Sequence, residues 1–188
     1  MMKRIVQFLN ELGQLKKVKR SGWWIAGIKD PETVAEHSFR VAIIGYLLAT
    51  LEGADPKKTI LMCLFHDIPE TRIGDLHKVA QNYIKLSNFD SIVFSDQLKN
   101  LPNNINSELN SLFTEFQCNN SKEAQLAHDA DRLECLIQAR EYQMEGNKNV
   151  FEWIESCKNS LKSETAKKIA SDSFQSEPHN WWIGLKSD

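Results

Sequence analysis

Apolar residues recur along this chain with a period near that of a helix, and strand-like alternation is nearly absent, so the fold has to be built from amphipathic helices packed on one another. Residues 2–16 place Ile5, Phe8, Leu9, Leu12 and Leu15 on one face. A loop follows through Pro31, carrying Gly22, Gly27 and the turn dipeptide Asp30-Pro31. Thr33 predicts an N-cap, with Glu36 completing a capping box, for a helix that runs to about Leu51 and stops near Gly53. Asp55-Pro56 opens the next helix, through Phe65, and Pro69 ends it, with Gly74 in the loop beyond. Residues 77–100 predict one or two helices with a polar break around Ser87–Asp90, and Leu101-Pro102-Asn103-Asn104 a turn before a helix over Glu108–Phe116. Asn119-Asn120-Ser121 then separates off a long helix, Lys122–Met144, stopped by Gly146-Asn147. Asn149–Ser160 and Glu164–Phe174 are expected to be helical, and Glu177–Leu185 an aromatic turn with Trp181 and Trp182. The expected fold class is all-α: 188 residues, with no internal repeat and no low-complexity linker, make a single compact helical bundle.

Composition removes several function classes. A formal net charge of −2, with Lys and Arg in short clusters such as Lys16-Lys17 and Lys19-Arg20, does not suit a partner that is a nucleic-acid polymer. The cysteines, Cys63, Cys118, Cys135 and Cys157, form no CxxC pair, which excludes zinc-ribbon and thioredoxin readings. Cys63 and Cys135 fall in apolar helical segments and read as small core residues. With no signal-like N-terminus, a reduced, cytoplasmic protein is expected. The most apolar stretch, Val41–Leu51, is interrupted by Gly45 and falls short of the roughly 20 residues of a membrane span, so no membrane partner is expected.

The chemistry begins at His66-Asp67, directly after the apolar pair Leu64-Phe65. Such side chains need partners if buried, and either ordinary hydrogen bonds or a metal ion would supply them. Other helices add to the pair. His37 stands in line with Val41, Ile44 and Leu48, on the stripe that should face the core, and Asp131 shares a face with Ala124, Ala127, Cys135 and Gln138. A carboxylate among small apolar residues is costly unless paired or bound to a cation. Two imidazoles and two carboxylates can hold one divalent ion, with manganese, cobalt, nickel, iron, zinc or magnesium all open, and leave positions for water and substrate.

The order of these residues, with the text around them, resembles the HD-domain superfamily of metal-dependent phosphohydrolases, and most closely its YfbR-like 5′-deoxynucleotidase branch. The matching stretches are Arg20-Ser21-Gly22-Trp23, Asp30-Pro31-Glu32-Thr33-Val34-Ala35-Glu36-His37-Ser38, His66-Asp67-Ile68-Pro69-Glu70-Thr71-Arg72-Ile73-Gly74-Asp75, and Ala130-Asp131-Arg132-Leu133-Glu134. The resemblance implies one HD domain over residues 1–188, with a core over about 5–145 and a C-terminal helical extension over 146–188. It implies His37, His66, Asp67 and Asp131 as metal ligands, Glu70 and Asp75 as catalytic carboxylates, Arg20 as the phosphate-binding residue and Trp23 as the aromatic near the sugar. Where relatives often carry Arg-Asn after that Trp, this chain reads Ala26-Gly27. The implied activity is hydrolysis of (deoxy)ribonucleoside 5′-monophosphates to nucleoside and phosphate, the substrate a small nucleotide and the assembly a homodimer.

Competing readings are a dinuclear phosphodiesterase or oxygenase, with His77 and His128 as added ligands, a phosphohydrolase for triphosphates or for flavin or sugar phosphates, and a non-catalytic nucleotide-sensing module. Against the dinuclear reading, His77 beside Lys78 and His128 beside Asp129 are expected to be exposed. Asp129 should point away from Asp131 on its helix, and His179 should lie at the surface. Phe151 with Trp153, and Trp181-Trp182, are expected to pack in the core or at a dimer interface.

Overall fold

The computed structural model describes residues 2–84 and 88–185, which contain eleven α-helices and no strand. These are α1 (Met2–Leu12), α2 (Gly22–Ile25), α3 (Val34–Glu52), α4 (Pro56–Phe65), α5 (Glu70–Ile73), α6 (Lys78–Gln81), α7 (Phe89–Leu98), α8 (Asn103–Cys118), α9 (Lys122–Met144), α10 (Phe151–Ser160) and α11 (Glu164–Asp172). Short 3-10 turns extend α1 over Gly13–Lys16, lead into α10 over Lys148–Val150 and close the tail over Asn180–Trp182.

Local chemistry accounts for most boundaries. Thr33 and Glu36 form the reciprocal capping box at the head of α3, with Thr33 N donating to Glu36 Oε2 at 2.6 Å and Glu36 N to Thr33 Oγ1 at 3.2 Å. Gly53 ends α3 at φ +67°. Asp55 caps α4 ahead of Pro56, and Ser121 caps α9 by accepting from Ala124 N. Other expectations need correction. The loop through Pro31 contains α2. α8 starts at Asn103, directly after Pro102, whose fixed φ marks a helix start more strongly than the two asparagines mark a turn. α11 stops at Asp172, before Phe174. Leu9 is 58 % exposed, because α1 meets the core along the narrower stripe of Ile5, Phe8 and Leu12. The expected break at Ser87–Asp90 lies partly outside the described residues, and Phe89 already begins α7.

The core is organised by α3, α4 and α9, with α10 packed on α9. Ala124, Ala127 and Ala130, all fully buried, let α9 approach its neighbours closely. α3 is the one described helix whose 19 residues and mean hydropathy of 1.3 would allow a membrane crossing, and half of that stretch is buried inside the protein. Val41, Ile44 and Leu48 are its inward residues. Gly45 serves packing: a Cβ there would stand 2.6 Å from Sγ of the buried Cys63 on α4. Gly45→Ala is therefore expected to force α3 and α4 apart and to cost about 1–3 kcal/mol of stability, read as a lowered thermal midpoint; an unchanged midpoint would contradict that contact.

Candidate active site

His37 lies one turn into α3, His66 caps the end of α4 with Asp67 next to it, and Asp131 sits midway along α9. The folded chain brings the four together. His37 Nε2 is 3.1 Å from Asp131 Oδ1 and 3.7 Å from Asp67 Oδ2, and His66 Nε2 is 3.1 Å from Asp67 Oδ2 and 3.9 Å from Asp131 Oδ1. Both Nε2 atoms are buried and make no hydrogen bond, which would be costly for polar atoms with no further partner. Ligand atoms about 2.1 Å from a common ion stand roughly 3–4 Å from one another, and the four imidazole-to-carboxylate separations fall in that range. His37, His66 and Asp67 form one group that converges tightly enough to hold an ion, with Asp131 at its edge, near both imidazoles.

The opposite ring nitrogens fix which tautomer faces the cluster. His66 Nδ1 is 2.7 Å from the Cys63 carbonyl, which can only accept, so Nδ1 carries the proton and Nε2 keeps its lone pair. His37 Nδ1 is 2.5 Å from Glu134 Oε2, and the same carboxylate accepts from Arg40 Nε at 2.9 Å. Glu134 is fully buried, and Arg40 is itself braced by Glu141 and Gln138. Glu134 was present in the sequence as one letter of the Ala130–Glu134 stretch, but its task depends on a contact across 97 residues and had no local signal. Glu134→Ala is expected to weaken binding of a divalent ion by about 10- to 100-fold, measured by titration calorimetry, with Glu134→Gln recovering part of the loss; equal affinity in all three proteins would show that Glu134 only supports the fold.

Electrically the cluster sets two carboxylates, Asp67 and Asp131, against Arg20 and the two imidazoles. Burial and Arg20 disfavour a charged His37, yet Glu134 and Asp131 outweigh them and raise its pKa to about 10. Despite burial, His66, Arg20 and His37 hold Asp67 below the usual carboxylate range, and the same three groups do so for Asp131. Such a set of donors fits a divalent cation.

Around the cluster lies a cleft of about 720 Å³ lined by Arg20, Trp23, Glu70 and Asp75 together with Asp67 and Asp131. The loop carrying Arg20 is pinned at its base, where Arg20 N donates to Glu32 O and Val34 N to Val18 O around the Lys19–Thr33 bridge. Arg20 Nη1 is 3.4 Å from Asp67 Oδ2 and Nη2 4.0 Å from Asp131 Oδ1. Glu70 opens α5, and its Oε2 is buried without a hydrogen-bond partner; burial, then Asp67 and Asp75, push its carboxyl up to about 10. Asp75 is raised by burial but is held by Ser21, whose backbone N donates to Asp75 Oδ2 at 2.7 Å and whose Oγ donates to the Asp75 carbonyl at 2.8 Å. Ser21 thus ties the Arg20 loop to Asp75, a role that no sequence pattern announced.

Trp23 is only 3 % exposed, with Nε1 donating to Glu32 Oε1 at 3.0 Å and its ring edge-on to Tyr142 at 5.3 Å. It is a fixed wall of the cleft. Among residues expected to lie elsewhere, His128 is half-buried, stacked on Phe116 and bonded to its carbonyl at 2.9 Å. His77 is half-buried at the cleft rim, where its Nδ1 accepts from Ala80 N at the head of α6. Neither is exposed as expected, because each makes a local bond that draws its ring in. Asp129 does point away from Asp131: fully buried, it accepts from Lys162 N and Ser163 N at the start of α11. Cys135 is half-buried and lines the cleft with Cys157, and so is not the enclosed core residue expected. Trp153 lines the cleft as well, while Phe151, Trp181 and Trp182 are exposed and lie outside the core.

A family model described as HD domain matches residues 12–172. A zebrafish (Danio rerio) protein named 5′-deoxynucleotidase HDDC2 is 32 % identical over 146 residues, spanning 76 % of this chain and 71 % of that one. The cattle (Bos taurus) protein of the same name is 30 % identical over 149 residues, spanning 78 % and 71 %. Among solved structures, a conserved hypothetical protein from Pyrococcus furiosus superimposes with a TM-score of 0.75 at 31 % identity, covering 91 % of this chain and 99 % of that one.

Proposed function

Since the chain belongs to the HD-domain family, we propose that it is a metal-dependent 5′-nucleotidase that hydrolyses (deoxy)ribonucleoside 5′-monophosphates to nucleoside and phosphate. In this reading one divalent ion is held by His37, His66, Asp67 and Asp131. The observation that carries it is the pair of buried Nε2 atoms, free of hydrogen bonds and turned on two carboxylates at the floor of an open cleft. The names of the zebrafish and cattle relatives support the choice of substrate class.

Phosphate monoesters hydrolyse extremely slowly unaided, so nearly all of the rate has to come from the site. A bound divalent ion supplies charge neutralisation at a phosphoryl oxygen and a water acidified for attack. The chain supplies the rest. Arg20 reaches the cleft from a pinned loop and offers a planar fork to the phosphate dianion. Glu70 holds and moves a proton at Oε2, the one carboxylate oxygen there that is buried and unpartnered. Asp75, fixed by Ser21, faces the same space and keeps Glu70 from ionising early. Trp23 closes the wall beside the sugar.

A phosphate-release screen across nucleoside mono-, di- and triphosphates, flavin mononucleotide and sugar phosphates, each with several added metals, tests this directly. Release from 5′-monophosphates is expected. Activity confined to triphosphates would contradict the nucleotidase assignment, and release without any metal would contradict the mechanism.

A further inference from the structure

A phosphate group and its metal would leave much of a 720 Å³ cleft unfilled. The remainder is walled by α10, in the part of the chain read from sequence as an extension beyond the core. On α10, Trp153, Ser156, Cys157 and Ser160 all line the cleft. Their spacing of three, four and seven residues puts them on one helical face, while Ile154, on another face, is the helix's buried core residue. α10 therefore has two working faces, one packed on α9 and one turned to the cleft.

We infer that Trp153, with the α10 face that carries it, forms the nucleobase subsite of this cleft. The inference rests on the nucleotidase reading and adds to it the part of the substrate that the metal and Arg20 do not touch. Trp153 adjoins the phosphate-binding loop: its Nε1 lies 3.6 Å from where a Cβ on Gly22 would stand, two residues after Arg20. Its ring is 5.9 Å from that of Trp23, tilted by 32°, so the two indoles make a continuous aromatic wall from the Arg20 loop to α10. A planar, uncharged ring tethered through a sugar to the phosphate is the ligand chemistry such a wall suits, since a half-buried indole presents a large rigid surface with little ordering cost. The Ser156 hydroxyl can donate or accept, and Ser160 Oγ, which donates to the Cys157 carbonyl at 2.7 Å, can still accept, so the two discriminate weakly among base edges. The subsite is accordingly one for any nucleobase rather than for one.

The test compares a nucleoside 5′-monophosphate with base-free 2-deoxyribose 5-phosphate as substrates of the metal-loaded wild-type, Trp153→Ala and Trp153→Phe proteins. For the nucleotide, Trp153→Ala is expected to raise KM by about 10- to 100-fold, with kcat held to within about threefold. For the base-free substrate KM should be unchanged, and Trp153→Phe should keep most of the affinity. Independently of activity, a free nucleoside should quench the tryptophan fluorescence of the wild type more strongly than that of Trp153→Phe, in which only Trp23 still lines the wall, and this decides the matter if the alanine variant does not fold. Equal losses on both substrates, or quenching of equal depth in the wild type and Trp153→Phe, would overturn the subsite while leaving the nucleotidase reading in place. A wild type that releases phosphate from no nucleotide would overturn that reading and the subsite with it.

Discussion

Replacing Glu70 with alanine is expected to lower kcat by about 10²- to 10⁴-fold and to leave the metal content of the protein unchanged. Glu70 follows Asp67 by one turn of chain, at the head of a four-residue helix, and faces the cleft without belonging to the converging set of His37, His66 and Asp67. Its carboxyl is buried beside Asp67 and Asp75, and these three influences push its pKa up to about 10. It is thus a group that carries a proton in the neutral range, with a cation nearby drawing that proton off more easily. Glu70→Gln separates shape from proton transfer, because the amide fills the same space and cannot carry the proton. Both variants should lose turnover alike and keep one metal per chain by elemental analysis. Removing a crowded buried acid should not destabilise the fold, so the thermal midpoint should hold or rise. An empty site in Glu70→Ala would instead make Glu70 a ligand.

Stripping the metal with a chelator should abolish hydrolysis through substrate binding as well as through chemistry. Asp67, Glu70, Asp75 and Asp131 line the cleft around Arg20, and Arg20 already shares its charge with Asp67 and Asp131 at 3.4 and 4.0 Å. Without a divalent ion the charge of Arg20 is taken up by these two carboxylates, which leaves less of it for a phosphate dianion. The chelated protein should accordingly show no measurable turnover and at least about tenfold weaker binding of a non-hydrolysable nucleotide analogue, and added manganese or cobalt should restore both. Asp131→Asn should act in the same way and resist rescue. Full activity in the chelated protein, checked for residual metal, would contradict a role for the ion.

How much of this was legible depends on how far each feature reaches along the chain. The ends of α3, α4 and α9 could be read because Thr33 with Glu36, Gly53, Asp55-Pro56 and Ser121 act on backbone groups within a few residues. His37 and Asp131 could be placed on inner faces because helical periodicity carries that information. The same periodicity sees only which face is apolar, so it could not tell that Leu9 falls outside the contact stripe or that α10 turns a second face to the cleft. Ser21 with Asp75 and Glu134 with His37 meet across 54 and 97 residues, and nothing near any of the four encodes the meeting. His77 and His128 were misplaced for a related reason: a charged neighbour suggested exposure, while a single bond to Ala80 N or the Phe116 carbonyl draws each ring inward.

The most direct test is crystallographic: anomalous diffraction from the manganese- or cobalt-loaded protein, collected at the metal's absorption edge. The expected result is one strong peak about 2.0–2.3 Å from His37 Nε2, His66 Nε2 and a carboxylate oxygen of each of Asp67 and Asp131. A second group, Glu32, His37 and Glu134, also converges closely enough to hold an ion. A peak there, on the Nδ1 side of His37, or no peak at all in protein that hydrolyses nucleotides, would contradict a metal held between the three helices.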